Sequence, residues 1–165
     1  MWSVNQSRGP RAGSVRNMDA SSQPPSDCLF CGIVAGTVPS AIVARDEATV
    51  AFMDINPGTE GHLLVIPTRH SADLLDIPAE DLAATALASQ RMARAVVDGL
   101  GADGVNLLNC CGAAGWQTVW HFHLHVIPRY DDPARDRLQL PYEPGQGTAG
   151  DLPAIARRVA AALEE

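Results

Sequence analysis

The chain has 165 residues, 46% of them hydrophobic, which suits one globular domain with a buried core. Its formal net charge of −7 opposes non-specific binding to nucleic acid or to an anionic membrane, because both need a basic protein face. All 12 basic side chains are arginine, which excludes lysine-dependent chemistry such as a Schiff base or a Walker-type phosphate loop.

The N-terminal segment differs in composition from the rest of the chain. Residues 1–26 are rich in Ser, Gly, Pro, Asn and Arg without periodicity, so we predict a disordered extension. This segment lacks the apolar core of a signal peptide, and no apolar run reaches the ~18 residues of a membrane span. We therefore expect a cytoplasmic protein whose domain covers residues 27–165, with residues 131–165 as a C-terminal tail.

The first elements of the domain are one short helix and three strands. Apolar runs separated by polar turns are typical of strands, and the run 63–67 is too short for a helix. The helix is predicted over residues 30–35, and the strands over 43–44, 49–53 and 63–67.

A long amphipathic helix follows, from Pro78 to Leu100. Pro78 suits the first turn, and Glu80 and Asp81 are favourable at the positive end of the helix dipole. Glycine at position 99 or 101 can end the helix. Apolar spacing predicts a buried face made of Leu82, Ala86, Ala93, Val96, Val97 and Leu100.

The last part of the domain contains two strands and a final helix. Strands are predicted over 104–109 and 119–128, joined by a polar turn, and the Pro- and Gly-rich residues 130–150 are predicted to be partly irregular. The final helix runs from Pro153 to Leu163, with Asp151 as its cap, and should bury Ile155, Val159 and Leu163. The sum is an α+β fold: an antiparallel sheet of about five strands, one long helix and a C-terminal helix.

Three histidines alternate along the segment 121–127, which reads HFHLHVI. Side chains alternate between the two faces of a strand, so a strand here would present His121, His123 and His125 on one face. The other face would carry the apolar set Phe122, Leu124 and Val126. The pattern leaves three interpretations open: histidines satisfied within a core, a metal site, or nucleophilic catalysis by a neutral imidazole.

The four cysteines form two pairs. Cys28 and Cys31 are separated by two residues, a spacing that in a reducing compartment indicates metal binding or redox chemistry. Cys110 and Cys111 are adjacent on or near a strand, so their side chains point to opposite faces and a structural role is expected.

The triad segment resembles the signature of the histidine triad (HIT) superfamily of nucleotide hydrolases and transferases. The likeness covers residues 27–130 and is closest to the small bacterial HIT proteins that carry zinc, so it implies a HIT-like fold. Further matching segments occur in the family's order and at similar separations: CLFC at 28–31, FMDI at 52–55, GHLLVIP at 61–67, RH at 69–70, LN at 108–109 and QTV at 117–119.

This resemblance implies a catalytic role for each member of the triad. His123 matches the nucleophile that attacks the α-phosphorus, forming a nucleotidyl-histidine that water hydrolyses. Its attacking nitrogen must be unprotonated, so the other nitrogen should donate a hydrogen bond to a fixed acceptor such as a backbone carbonyl. His125 matches the residue that contacts the phosphate and helps to protonate the leaving group. His121 completes the triad.

Five other positions match nucleotide-binding residues of the family. Asp54 corresponds to the ribose contact, Ile55 to a wall of the base pocket, Asn109 to a residue near the phosphate, and Gln117 and Thr118 to hydrogen-bond partners of the phosphate or leaving group. The chain departs from the family in having Thr118 where Ser is common, and Trp116 where Gly is common. The second departure makes the leaving-group loop bulkier.

The resemblance also implies a structural zinc ion and no organic cofactor. Two thiolates and two imidazoles satisfy tetrahedral zinc as a closed site, and the matching ligands are Cys28, Cys31, His70 and His121. His62 is the rival to His70; otherwise it is a surface residue or supports a ligand.

The implied function is hydrolysis or nucleotidyl transfer at the α-phosphate of purine nucleoside phosphoramidates or dinucleoside polyphosphates. One alternative is a zinc-stabilised, purine-nucleotide-binding adaptor with weak catalysis; another is a zinc hydrolase that uses the triad as ligands. The likeness further implies a homodimer that pairs the long helices, with neither nucleic acid nor membrane as a partner.

Overall fold

The computed structural model describes residues 27–139 and 150–163. The predicted disordered extension, residues 1–26, and residues 140–149 of the predicted irregular loop lie outside the described residues. The elements in chain order are α1 (Leu29–Ala35), β1 (Ile42–Arg45), β2 (Thr49–Met53), β3 (Leu63–Pro67), α2 (Ala79–Leu100), β4 (Gly104–Leu108), β5 (Leu124–Arg129) and α3 (Leu152–Ala161).

The five strands form one antiparallel sheet in the order β1-β2-β3-β5-β4. This confirms the predicted α+β class, the strand number, the long helix and the C-terminal helix. Glycines in the left-handed region end the first two helices: Gly36 has φ of 73° and Gly101 has φ of 65°. Asp151 caps α3 as expected, because its carboxylate accepts a hydrogen bond from the Ala154 N–H.

The two central strands bury both of their faces, because a helix lies against each. On β2, Val50 and Phe52 face α1, whereas Ala51 between them faces α2. The same alternation continues on β3. The α1 side contains Phe30, Ile33, Val50, Phe52, Leu64 and Ile66, and the α2 side contains Ala51, Leu63, Val65, Ala88, Val96 and Val126. Burying one such large side chain contributes about 1.5–3 kcal/mol.

The buried face of α2 differs from the prediction. Val96 is buried as expected, but Ala86, Val97 and Leu100 are exposed, and Leu82 and Ala93 are only half-buried. The helix instead turns Thr85, Ala88 and Ser89 towards the sheet. The Thr85 and Ser89 hydroxyls donate hydrogen bonds to carbonyls one turn back, which removes the cost of burying them.

The histidine strand is shorter than predicted. The strand β5 begins at Leu124, so only His125 of the triad lies within it, and residues 119–123 approach the sheet as irregular chain. The Phe122 N–H donates a hydrogen bond to the carbonyl of Ser71, outside the sheet, which diverts this segment from the ladder. Phe122 and Val126 are fully buried as expected, but Leu124 is only half-buried. His121 and His123 are buried as well, so the segment does not divide into one buried and one open face.

The predicted burial of the α3 apolar face is wrong for the isolated chain. Ile155, Val159 and Leu163 are all exposed, because no other described element packs extensively on this helix. Among the described residues, none of the helices is both long enough and apolar enough to cross a membrane.

Candidate active site and metal centre

The four predicted zinc ligands converge although they are far apart in the sequence. Cys28 and Cys31 lie at the start of α1, His70 follows β3, and His121 precedes β5. One ligand atom from each lies within 4.8 Å of the others. The structure therefore brings together two thiols and two imidazoles, and favours His70 over His62 as the fourth member.

The spacing of these atoms fits a tetrahedral zinc ion. With Zn–S of ~2.3 Å and Zn–N of ~2.0–2.1 Å, tetrahedral angles place sulfur and nitrogen about 3.6 Å apart. Cys28 Sγ and Cys31 Sγ each lie 3.6 Å from His121 Nδ1, and Cys31 Sγ lies 3.4 Å from His70 Nδ1. These residues can hold zinc without rearrangement.

Hydrogen bonding and burial prepare the imidazoles of this cluster as ligands. His121 Nε2 lies 3.0 Å from the Pro67 carbonyl, to which it can only donate, so Nδ1 keeps the lone pair that faces the thiols. Burial lowers the pKa of His121 to about 4 and also lowers that of His70. Burial, followed by the neighbouring Cys28, raises the pKa of Cys31 to about 12. A bound cation would therefore have to displace a proton from this thiol.

His123 is held in the tautomer that a nucleophile requires. Its Nδ1 lies 2.7 Å from the His121 carbonyl oxygen, an acceptor, so Nδ1 carries the proton and Nε2 keeps its lone pair. Burial lowers the pKa of His123, which keeps the ring neutral near pH 7. Asn109 fixes the same segment, because its amide nitrogen donates to the His123 carbonyl over 2.9 Å.

His125 belongs to a second cluster, together with His62 and Asp54. The Gly58 N–H donates to His62 Nδ1 over 3.0 Å, so the proton of a neutral His62 must be on Nε2. That Nε2 lies 3.0 Å from His125 Nδ1 and donates to it. His125 consequently keeps its own proton on Nε2, the nitrogen left for a ligand. The Asp54 carboxylate lies 3.6 Å from His62 and 3.9 Å from His125.

This second cluster is a hydrogen-bond chain rather than a metal site. A metal at His62 Nε2 would need the lone pair of that nitrogen, yet the Gly58 N–H already occupies the other one. Burial lowers the pKa of His62, and burial together with His123 and His62 lowers that of His125 to about 4. Both rings are therefore neutral at pH 7.

His62 is the functional residue that sequence reasoning missed. It was considered only as a rival metal ligand or as a surface or supporting residue, yet it is buried and hydrogen-bonded to a triad member. Gly61 allows this placement: its φ is 82°, and a Cβ there would lie 2.3 Å from the Leu100 side chain. One feature of the sequence could have indicated this role: His62 follows Gly61 directly and is not needed to complete the four predicted metal ligands.

A cavity opens beside His123 and His125; it is named the nucleoside cavity after the ligand that the family resemblance implies. Asp54, Ile55 and Thr118 are among its lining residues. Ile55 is 87% exposed, so it can cover a ligand without belonging to the core. The apolar lining comes from α1, from β2 and β3, and from the loops that follow α1 and precede β5: Leu29, Phe30, Ile33, Val38, Phe52, Met53, Leu64 and Val119. One Asp54 oxygen accepts from the Asn56 N–H, which leaves the other towards the histidines.

Gln117 is hydrogen-bonded within the protein, and its predicted contact with the phosphate or leaving group stays a prediction. Its amide nitrogen donates to the carbonyls of Ala72 and Val119, and its oxygen accepts from the Gly112 N–H. All of its donors are therefore used within the protein, and it braces the loop instead of lining the cavity. The adjacent Thr118 is exposed, and its hydroxyl makes no hydrogen bond within the described part of the chain.

Asn109 contacts the backbone of the triad, and its predicted place near the phosphate stays a prediction. It supports the triad backbone from outside the nucleoside cavity. Its Oδ1 is buried and has no hydrogen-bond partner among the described residues. Trp116, which stands where the family commonly has Gly, is exposed with φ of 66°. It does not line the nucleoside cavity.

Comparison with known proteins agrees with this arrangement. Residues 35–132 match the family model of the HIT domain. An uncharacterised HIT-like protein of Mycobacterium tuberculosis is 45% identical over 101 residues, which are 61% of this chain and 70% of that protein. An adenylylsulfatase of Arabidopsis thaliana is 37% identical over 104 residues, which are 63% of this chain and 53% of that protein.

A solved structure also carries the predicted metal. The chain is similar, with 42% identity and a TM-score of 0.65, to a zinc-bound histidine triad family protein from Mycobacterium smegmatis; the match covers 82% of this chain and 97% of that one. The family match spans more than half of the sequence and includes the whole triad. The chain belongs to the HIT family.

Proposed function

We propose that the protein hydrolyses purine nucleoside phosphoramidates or dinucleoside polyphosphates at the α-phosphate, through a nucleotidyl-histidine on His123. The observation that carries the proposal is the tautomer of His123, whose free Nε2 belongs to a ring that lines the nucleoside cavity. A neutral imidazole in that state is a competent nucleophile towards phosphorus. The adenylylsulfatase relative supports attack on an adenylyl group.

The first half of the reaction transfers the nucleotidyl group to the protein. His123 Nε2 forms a bond to the α-phosphorus while the bond to the leaving atom breaks and its electron pair stays with that atom. The neutral His125 directs its Nε2–H at the leaving atom, and a proton taken up with the anionic substrate, its charge balanced by the nearby Asp54 carboxylate, passes through this ring to the leaving atom. We assign to the Thr118 hydroxyl, which belongs to a residue lining the cavity, the stabilisation of charge on the phosphoryl oxygens.

The second half returns the protein to its starting state. Water attacks the same phosphorus and gives its proton to His125, while the electron pair of the P–N bond returns to His123. The products are a nucleoside monophosphate and the protonated leaving group. We assign Asp54 to the ribose hydroxyls and Ile55 to the base, because both line the cavity. Asn109 and Gln117 position the triad and its loop.

We propose a structural role for zinc at Cys28, Cys31, His70 and His121. When bound, the ion would tie α1 to the segments before α2 and β5 through a closed set of four ligands. The four side chains themselves fix the His121 ring, whose backbone carbonyl accepts the His123 Nδ1 proton. The metal is thus a positioning group, and the chemistry at phosphorus needs no Lewis acid.

Trapping of the intermediate tests the proposed function. Incubation with adenosine 5′-phosphoramidate followed by an alkaline quench, which spares the P–N bond, should leave one adenylyl group on the peptide containing His123. Mass spectrometry of the digest locates it, and the His123→Asn variant is the matched control. Binding of the nucleotide without adduct or turnover would instead support the adaptor alternative.

We propose that the protein is a homodimer formed through α2 and the edge strand β4. Leu87 and Val97 of α2 and Leu107 of β4 are exposed apolar side chains that a second copy of the chain could cover. Since β4 has a partner on one side only, a second copy could extend the sheet. Sedimentation equilibrium at micromolar concentration should give twice the chain mass; the mass of one chain would contradict this proposal.

A further inference from the structure

After β5 the chain folds back on itself in residues 130–138, and an ion pair fixes this return segment. The Arg129 guanidinium donates to both carboxylate oxygens of Asp136, over 2.6 and 3.3 Å. The same oxygens accept from the Tyr130 and Leu138 N–H groups over 3.1 and 2.8 Å. All four lone-pair sites of this carboxylate are thus used, and its side chain is only 4% exposed. The pair therefore sets the position of Leu138.

Leu138 covers the turn that precedes β3. A Cβ on Gly58 would lie 3.5 and 3.6 Å from the two terminal carbons of Leu138, and 3.8 Å from His62 Nδ1. The leucine side chain and the His62 ring thus approach Gly58 from the same side, at the distance of ordinary van der Waals contact. Because the Gly58 N–H donates to His62 Nδ1, Leu138 packs against the residue that sets the His62 tautomer.

Other contacts attach the same turn to the chain that follows the triad. The Thr59 hydroxyl donates to the Pro128 carbonyl over 2.6 Å, and the Tyr130 hydroxyl donates to the Glu60 carbonyl over 3.0 Å. The Arg135 guanidinium pairs with the Glu60 carboxylate at 3.1 Å and lies 3.8 Å above the Tyr130 ring. The turn and the return segment consequently form one packed unit.

The fixed part of the return segment lies beyond the matched family domain, yet its contacts lead to the triad. The family match ends at residue 132, before Asp136 and Leu138. Leu138 packs on Gly58, whose N–H binds His62. His62 in turn donates to His125 Nδ1 over 3.0 Å. If a loosened turn let His62 take its proton on Nδ1, its Nε2 would become an acceptor, and His125 would lose the proton on its own Nε2.

We propose that Asp136 and Leu138 are positioning residues for proton delivery by His125. They hold the Gly58 N–H against His62, which keeps the proton of His125 on Nε2, the nitrogen that faces the leaving atom. Neither residue lines the nucleoside cavity, so both act only through the two histidines. The use of this proton rests on the proposed function, whereas the His62 tautomer does not.

The tautomer of His62 gives a direct test on the full chain. Long-range ¹H–¹⁵N correlation spectra of protein labelled with ¹⁵N-histidine distinguish protonated from unprotonated ring nitrogens. At neutral pH we expect the proton of His62 on Nε2 alone, and in Leu138→Ala a second population protonated on Nδ1. Leu82→Ala, which truncates another half-buried leucine in the first turn of α2, should not change this tautomer. An unchanged tautomer in Leu138→Ala would overturn the proposal.

Kinetics test the consequence for catalysis. The measured quantity is the ratio of kcat/KM for adenosine 5′-phosphoramidate, whose amine leaves with a proton, to that for the p-nitrophenyl ester of adenosine monophosphate. Leu138→Ala should lower this ratio about fivefold, the effect of one net hydrogen bond, and Leu138→Met should restore most of it. In a His62→Ala background, Leu138→Ala should lower the ratio no further, because the two residues act on one path.

Asp136→Asn removes the charge of the ion pair and keeps the shape of the side chain. It should lower the same ratio about threefold, because an amide nitrogen cannot accept from the donors that face the second carboxylate oxygen. Asp46→Asn is the matched control. Asp46 likewise accepts from an arginine, Arg91, and from two backbone N–H groups, in the turn between β1 and β2. Its replacement should leave the ratio unchanged.

The outcomes separate this positioning role from the proposed function. Equal losses on the two substrates in Leu138→Ala and Asp136→Asn would show that the return segment only stabilises the fold. A further fivefold loss from Leu138→Ala in the His62→Ala background would also contradict the proposal. Absence of turnover of both substrates by the unaltered protein would overturn the proposed function, and the His62 tautomer would then decide the positioning role alone.

Discussion

Replacement of His123 by alanine is expected to lower kcat/KM for adenosine 5′-phosphoramidate by on the order of 10⁴-fold or more. The variant loses the nitrogen that would form the covalent bond, and no neighbouring group can take its place. His121 has its Nδ1 directed at the thiols and its Nε2 bonded to Pro67, while His125 has Nδ1 occupied by His62. Steady-state release of adenosine monophosphate measures the loss.

Binding of the product should survive this change. The apolar walls and Asp54 remain, so calorimetric titration with adenosine monophosphate is expected to give a Kd within a few-fold of the original. Turnover by His123→Ala within tenfold of the wild-type rate would contradict the nucleophilic role. Loss of both turnover and binding would point to a disturbed fold, which the melting temperature would reveal.

A comparison with His62→Ala separates the nucleophile from the residue that orients the acid. His62 supports His125 and does not need to touch phosphorus, so its loss should cost only about ten- to a hundredfold. The cost should be larger for an amine leaving group, which needs a proton, than for p-nitrophenolate, which does not. Equal losses on the two substrates would contradict the proposed positioning role.

Much of the fold was predictable because its central strands are short, continuous apolar runs. Residues on β2 and β3 are apolar on both faces, and the structure places a helix against each. The grouping of the four candidate metal ligands was predictable for a different reason. Cys28, Cys31, His70 and His121 match a family pattern, and their long separations could not have been joined by local spacing alone.

The features that the sequence did not predict share a physical cause. They depend on hydrogen bonds, which a hydropathy pattern does not record. Thr85 and Ser89 are buried because each hydroxyl reaches a carbonyl one turn back. Gln117 is directed away from the cavity because three backbone groups use its amide. His62 enters the site because the Gly58 N–H fixes its tautomer. Most of these bonds are local, but they depend on side-chain and backbone geometry rather than on hydrophobicity.

Replacement of Cys31 by serine is expected to abolish stoichiometric zinc binding and to destabilise the protein by at least about 3 kcal/mol. For a domain of this size that corresponds to a fall in Tm of roughly 10 °C. Cys31 Sγ contacts both imidazoles of the cluster, so no other side chain can replace it. Elemental analysis of the purified protein and thermal unfolding measure the two effects.

Cys111→Ser is the matched control, because Cys111 is a free, half-buried cysteine outside the metal group. It should retain one zinc per chain and an unchanged Tm. Zinc retained in Cys31→Ser but lost in His123→Ala or His125→Ala would mean that the triad binds the metal. That result would replace the structural site with a zinc hydrolase.

Loss of the metal should also affect the proposed nucleophile, His123, although zinc takes no part in the proposed chemistry. The thiols and His70 constrain the ring of His121, and the His121 carbonyl accepts the His123 proton that leaves Nε2 free. A mobile His121 would weaken that bond and populate the other tautomer of His123. We therefore expect Cys31→Ser to lower kcat about tenfold with little change in nucleotide Kd. Unchanged kcat in a zinc-free variant would show that the Asn109 contact alone holds the triad in place.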